Sequence, residues 1–246
     1  MRLFRLIIRG RNCGKYLNEC LESLQRQTIQ NWYALVIADP SKDNTVEKLV
    51  EWAAREPRIR VIVNPEPYGV CRNMWQGLRE IGNPYQAIRA AIDNDVVGIL
   101  DLDDYLYRPT SLEIVAGYYK EHPEIMATYG TFRFGHGHKS KLCQKYHSHD
   151  KPRKARWMAS HLKTFKYAVV KHIPQDYFMY HGRWGEGASD LALMFCVMER
   201  VGLARVKRIK ESIYYYRTNI SNSLSRRIQR KYNKIWRKKK PLTRRF

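Results

Sequence analysis

No stretch of this chain approaches the ~20 consecutive apolar residues that a membrane-spanning helix needs. The opening MRLFRLIIRGRN has an apolar core shorter than that of a secretory signal and reads as a first strand. The expectation is a soluble or peripheral, cytoplasmic protein. Cysteine is sparse: Cys13, Cys20, Cys71, Cys143 and Cys196 are scattered, odd in number and without a CxxC pair. That speaks against a disulfide framework or a zinc site and for reduced, buried thiols. No internal repeat is evident. Acidic residues are also few, 23 against 45 Lys and Arg, a formal charge of +22. Such an excess says nothing about fold but points to a polyanionic partner, nucleic acid or an anionic membrane surface. Simple solubility is the alternative.

What is present is a periodic, core-forming chain. Hydrophobic residues make up 44% of 246, enough for one large domain or one domain with a C-terminal elaboration. Leu3–Gly10, Tyr33–Pro40, RIRVIVN, VVGILDLDD and Ile125–Gly135 read as strands. Between them lie GKYLNECLESLQRQ, with Leu17, Cys20, Leu21 and Leu24 at helical spacing, then SKDNTVEKLVEWAARE, VCRNMWQGLREI and TSLEIVAGYYKEHP. Ser41, Asp43 and Asn44 are cap candidates for the second helix. The alternation predicts an α/β fold, a mostly parallel Rossmann-like sheet with helices on both faces. Its ligands belong beyond the carboxyl ends of the strands.

GNPYQAIRAAIDND interrupts the pattern and reads as an extra short helix. Past Gly135 the regularity weakens. GHGHKSKLCQKYHSHDKPRKARW looks like a long mobile loop, whose His136, His138, His147 and His149 match no zinc spacing. ARWMASHLKTFKYAVVKHI reads as helical. Ala188–Val201 is a strong helix, capped by Ser189 or Asp190, and ARVKRIKESIYYYRT gives one or two strands. The tail Ser225–Phe246 is basic and free of acids, with Ile228, Tyr232, Ile235 and Trp236 on one helical face. The chain divides at 1–135, 136–224 and 225–246, the middle part belonging to the same domain as the first.

Asp101, Asp103 and Asp104 end the most apolar strand. Close carboxylates raise one another's pKa unless a cation neutralises them. Mg2+ or Mn2+, bridging carboxylates to a substrate's phosphates, would do so; a turn with helix-capping acids is the bland alternative. Asp39 ends the second strand, where it can accept from a base or a ribose hydroxyl, or cap the next helix, the expected role of Asp43. Arg72 falls on the first turn of the third helix, within reach of a phosphate or of the acid cluster, or as an ordinary surface arginine.

The order of these pieces resembles family 2 glycosyltransferases of the GT-A fold. The family's IIPTYN is similar to IIRGRN (Ile7–Asn12), its VDDGSTDNT to IADPSKDNT, its G…ARN.GL to GVCRNMWQGL and its LDADD to LDLDD. CLESLQRQT, ASDLALMF and YYRTNISNSLS resemble its first helix, its acidic helix start and its C-terminal YRxHxxNxS. The likeness runs from about residue 3 to 224.

The resemblance implies inverting transfer from a nucleotide sugar, a UDP-sugar by family habit, to an acceptor hydroxyl. It makes 1–135 the nucleotide-sugar-binding core and 136–224 the acceptor side. Asp39 and Arg72 would hold the nucleotide. Asp103 and Asp104 would bind Mn2+ or Mg2+, Asp103 also touching the donor and Asp101 supporting. Asp190 would be the general base, with Glu186 its rival. His161 and Tyr216, Arg217 and Asn219 are acceptor-side candidates. Arg9, Ala38 and Asn219 depart from the family's Pro, Asp and His, and Arg9 brings positive charge to the donor. The charge makes a hydroxymethylated DNA base the leading acceptor, reached by base flipping. A lipid-linked glycan or lipopolysaccharide built at an anionic membrane is the rival, with the Trp236 helix lying on lipid. A non-catalytic nucleic-acid-binding protein on the same scaffold is the alternative of another class.

Overall fold

The computed structural model describes residues 3–83, 92–147, 149–218 and 225–242. The first half is the expected alternation: β1 (Phe4–Gly10), α1 (Leu17–Gln25), β2 (Trp32–Ala38), α2 (Thr45–Arg55), β3 (Ile59–Val63), α3 (Gly69–Glu80) and β4 (Val96–Asp101). There follow β5 (Tyr105–Leu106), α4 (Ser111–Glu121), β6 (Ala127–Phe134), β7 (His138–Lys139), β8 (Lys163–Lys166) and α5 (Tyr167–Val170). The chain continues through β9 (Met179–Tyr180), β10 (Arg183–Trp184), α6 (Ser189–Val201), β11 (Val206–Tyr216) and α7 (Arg226–Lys238).

The main sheet runs β3-β2-β1-β4-β8-β6-β11-β5, with β7 on β6. Strands β1 to β4 are parallel to one another, β8 is antiparallel to both its neighbours, and β6 and β11 are parallel. The sheet is therefore parallel through β3-β2-β1-β4 and mixed beyond it.

Alternation along β1 builds two cores. Leu6 and Ile8 face the layer holding Leu17, Leu21 and Leu24 of α1, Leu49 and Trp52 of α2 and Val115 of α4. Ile7 faces Met74 and Leu78 of α3 and the apolar surface of α6. Gly77 lets α3 come close: a Cβ there would lie 2.4 Å from Ile7 Cγ2. Register then sets the site. Gly10 stands opposite Ala38, and Arg9 opposite Asp101, so the carboxyl ends of β1, β2 and β4 share one edge.

Several expectations need correction. The segment 155–173 is not a helix; it is irregular until β8, and only Tyr167–Val170 is helical. Lys163 and Lys166 of β8 are both buried. The histidine-rich segment is pinned rather than free. Cys143 and Tyr146 are buried, Tyr146 packs edge-on against Tyr129 at 5.7 Å, and Arg153 pairs with Glu199. Helix α6 has no side-chain cap: Ala188 stands at its start with φ 51°. Residues 84–91 of the expected extra helix lie outside the described residues. Asp95, just beyond, is buried and takes a 2.9 Å ion pair from Arg5.

The basic tail does not stand apart. Tyr232 and Trp236 of α7 are buried in the core beside α6, and Trp236 Nε1 donates to Gly187 O at 3.0 Å. The apolar face expected to lie on lipid is thus occupied. All five cysteines are free and buried, as expected. Among the described residues no helix is long and apolar enough to cross a membrane.

Candidate active site

A cleft of about 1180 Å³ opens at the shared strand edge and reaches across to α6 and α7. Asp39, Asp101 and Asp103 line its sheet side, with Arg9, His161 and Lys163; Glu186, Ser189 and Asp190 line the facing side. Tyr216, Arg217, Arg226 and Gln229 complete the rim.

The acid cluster is layered. Asp101 is partly exposed and holds Arg9 Nη2 at 2.8 Å. Asp103 faces the cleft; burial, then the charge of Asp101, pushes its carboxyl up to about 6. Asp104 lies beneath, buried, and accepts from Tyr214 Oη and Arg217 N, each at 2.7 Å. Burial, then Asp103 and Asp101, holds Asp104 well above the usual carboxylate range. These are acids under mutual repulsion, the state a divalent cation relieves.

The residues that converge for such a cation are Asp101, Asp104 and His161, whose ligand atoms lie within 4.8 Å of one another. The sequence expectation paired Asp103 with Asp104; the groups gathered within that distance of Asp104 are Asp101 and the His161 imidazole, while Asp103 lines the cleft. His161 stacks on Tyr214 (4.7 Å) and Tyr216 (5.6 Å). Burial, then the nearby Lys163, holds it well below the ordinary imidazole range, and its Nδ1 lies 3.4 Å from Lys163 Nζ. Expected on the acceptor side, it lines the cleft beside Asp101 and Asp104. The two carboxylates suit Mn2+ or Mg2+, and an imidazole beside them favours the softer Mn2+ of the two.

Arg9 is a brace as much as a free charge. Besides Asp101, its Nη1 donates to Val70 O and Ser189 Oγ, both at 3.1 Å, tying β1 to the first turns of α3 and α6. Asp39 is buried and similarly engaged: Oδ1 accepts from Asn64 Nδ2 (2.9 Å) and Tyr68 N (3.0 Å), Oδ2 from Gly69 N (2.9 Å). It fastens the end of β2 to the start of α3. Asn44 stands at the N-cap of helix α2 without a side-chain cap; Asp43, one residue earlier, accepts from Thr45 N and Gly14 N and ties the turn to the loop after β1. Those hydrogen bonds, that from Thr45 Oγ1 foremost, hold its carboxyl low against a desolvation penalty that is the largest single influence.

Arg72 is not among the residues lining the cleft. It lies over the ring of Tyr68, which does line the cleft, and 3.5 Å from Glu66 Oε1. The next residue, Asn73, lines the cleft instead and accepts from Asn64 Nδ2 at 2.9 Å. One residue is 100° of helix, enough to exchange their faces.

On the facing side, Asp190 sits in the first turn of α6, with Oδ2 3.5 Å from Lys163 Nζ. Glu186 lies exposed in the preceding loop. Arg217 donates through Nε to Asp103 O at 2.9 Å and pairs with Glu19, locking the acid loop to α1. Burial, then the charge of Asp104, pushes Tyr216 up to about 12, so it is a neutral hydrogen-bonding group. Asn219 lies outside the described residues. Lys163 and Gln229 were not anticipated, and Ser189 only as a helix cap. The signal for Lys163 was its place two residues after His161, which puts both on one face if the segment is extended.

A family model described as "Glycosyl transferase family 2" matches residues 6–181. The chain is 28% identical over 131 residues to chondroitin synthase of Escherichia coli, covering 53% of this chain and 17% of that protein. It therefore spans under a fifth of that relative. Among solved structures, S. aureus TarS 1-349 in complex with UDP-GlcNAc superposes with a TM-score of 0.65 at 18% identity, over 92% of this chain and 62% of that one. Glucosyl-3-phosphoglycerate synthase from Mycobacterium tuberculosis, in complex with Mn2+, UDP and glucosyl-3-phosphoglycerate, gives 0.57 at 13% identity, over 89% and 73%. At these identities the likeness is one of fold.

Proposed function

The chain belongs to glycosyl transferase family 2, and from that premise we propose that it moves a sugar from a nucleotide sugar, a UDP-sugar, to a hydroxyl of an anionic acceptor. The observation that carries the reading is the cleft itself. It brings Asp101 and Asp103 of the β4 edge to face Asp190 of α6, residues far apart in the chain. An acid cluster for a diphosphate's cation and a carboxylate for a proton are the two things sugar transfer needs.

Asp101, Asp104 and His161 would hold Mn2+ or Mg2+, which when bound neutralises the diphosphate and stabilises it as leaving group. The UDP and Mn2+ in fold relatives support that choice. Asp39 and Asp103 line the cleft and would meet the nucleotide and its ribose, and Arg9 keeps Asp101 oriented. Asp190 takes the proton of the acceptor hydroxyl as its oxygen attacks the anomeric carbon. The bond from that carbon to the diphosphate breaks, UDP departs with the electron pair, and configuration inverts. Lys163 beside Asp190 fixes the carboxylate's direction. Glu186, exposed at the mouth, contacts acceptor rather than the reacting proton.

For the acceptor, charge alone does not separate a hydroxymethylated DNA base from an anionic glycan. One observation favours the glycan, the likeness over 131 residues to chondroitin synthase of E. coli; the burial of the α7 apolar face speaks against a lipid surface. The test is release of UDP from UDP-sugars in Mn2+, with and without anionic oligosaccharide or hydroxymethylated DNA. Release that fails in Asp190→Asn and Asp103→Ala supports the reading. No release from any UDP-sugar, or release unchanged in both variants, overturns it.

A further inference from the structure

Helix α7 carries a cationic strip with no structural use. At 3.6 residues per turn, Arg226, Arg227, Arg230, Lys231, Lys234 and Lys238 fall on one arc, opposite the buried Tyr232 and Trp236. All six are exposed, and none has an acidic partner among the described residues. Their neighbours differ. Arg237 donates to Arg153 O and Ala155 O, and Lys239 to Asp176 O, so those two cations hold the helix in place. The strip is about 20 Å long, from 13 residues at ~1.5 Å each. At one end Arg226 lines the cleft. At the other, the Arg237 contacts bring in the segment of exposed Lys151, Lys154 and Arg156.

We propose that the outer face of α7 is the acceptor track: a linear anionic glycan lies along it and its reacting hydroxyl enters the cleft past Arg226. The proposal rests on the reading of the cleft as a glycosyltransferase site. Charge complementarity defines the occupant. Like charges held along one face repel unless a polyanion lies on them. The apolar face of α7 is turned into the core, so nothing on the helix enters an acyl layer. The strip is one helix wide and ends in a cleft. A single flexible chain can lie along it and deliver a hydroxyl directly, whereas a duplex must first extrude a nucleotide.

The test uses the full chain and a fluorescein-labelled hyaluronan oligosaccharide, read by anisotropy across a salt series. The variant Arg230→Gln/Lys234→Gln/Lys238→Gln removes three charges outside the cleft. A control, Lys42→Gln/Lys120→Gln/Lys145→Gln, removes three exposed charges elsewhere. The α7 variant is expected to bind at least about tenfold more weakly, its log–log salt slope falling by about two at ~0.7 per lost contact. The control binds as wild type, and both variants keep wild-type Mn2+-dependent release of UDP from UDP-sugar. Equal weakening in both variants, or none in the α7 variant, overturns the track. So does wild type preferring duplex DNA or phosphatidylglycerol vesicles to the oligosaccharide. Absence of UDP release in wild type with oligosaccharide binding intact overturns the proposed function and leaves the track standing.

Discussion

Lys163 directs its ammonium at Asp190. Nζ lies 3.5 Å from Oδ2, and also 3.4 Å from His161 Nδ1, and the lysine is buried. A buried cation with one acid beside it fixes where that acid points. If Asp190 takes the acceptor's proton, Lys163 is its positioning residue. Lys163→Met is expected to lower kcat about a hundredfold, as small misplacements of a reacting group do, with KM for the UDP-sugar little changed. Steady-state kinetics separates the two constants. A rise in donor KM that accounts for the whole loss would mean that Lys163 binds donor instead.

The convergence of Asp101, Asp104 and His161 makes a prediction that differs from one read off the DxD pattern. His161→Ala should weaken Mn2+ binding by about tenfold or more, measured as free Mn2+ by electron paramagnetic resonance. Asp103→Asn should leave Mn2+ affinity near wild type while turnover is lost. The reverse pattern would return Asp103 to the ligand set. Asp104 is the poorer test, because it also holds Tyr214 and Arg217, and its loss leaves buried donors unpaired.

Packing of α7 onto the core is a stability claim. Trp236 is buried, its indole N–H bonds to Gly187 O, and Gly185 makes room for the ring. A Cβ at Gly185 would stand 2.3 Å from Trp236 Cζ2. Trp236→Ala should cost about 3–5 kcal/mol, read in urea melts. Gly185→Ala should cost about 1–3 kcal/mol by overpacking. If neither moves the midpoint, α7 is not part of the cooperative unit.

The parallel half of the sheet was legible because strands such as β1, β2 and β4 are apolar runs and the helices between them are amphipathic, as Leu17, Cys20, Leu21 and Leu24 of α1 show. The acids' place at strand ends followed from that alternation alone. Three things were not legible, each for a physical reason. Strand β8 was hidden because Lys163 and Lys166 are buried and satisfied by Asp190 and Pro123 O, whereas pattern reading sends lysine to solvent. The exchange of Arg72 for Asn73 depended on helix phase, which spacing fixes only to within a residue. The third member of the cluster, His161, is remote in sequence from Asp101 and Asp104, so only the sheet order β4-β8-β6-β11 brings them together.

Acid stability offers a test away from the cleft. Glu56 Oε2 lies 2.7 Å from Arg58 Nη2 and accepts from Gln25, while Arg58 stacks on Trp32 at 3.9 Å. The Arg58 hydrogen bonds, foremost, lower the Glu56 carboxyl to about 2, against a partial desolvation penalty. A carboxyl depressed in the folded state binds fewer protons there than when unfolded. Its stabilisation is therefore complete above the ordinary glutamate value and is lost as pH falls from about 4.5 toward 2. Glu56→Gln should destabilise by about 1.5–3 kcal/mol at pH 7, the range for hydrogen bonds to a charged group. The difference from wild type should shrink steadily below pH 4.5 in urea melts. A difference that stays constant down to pH 2.5 would show that the loss comes from packing and not from the charge.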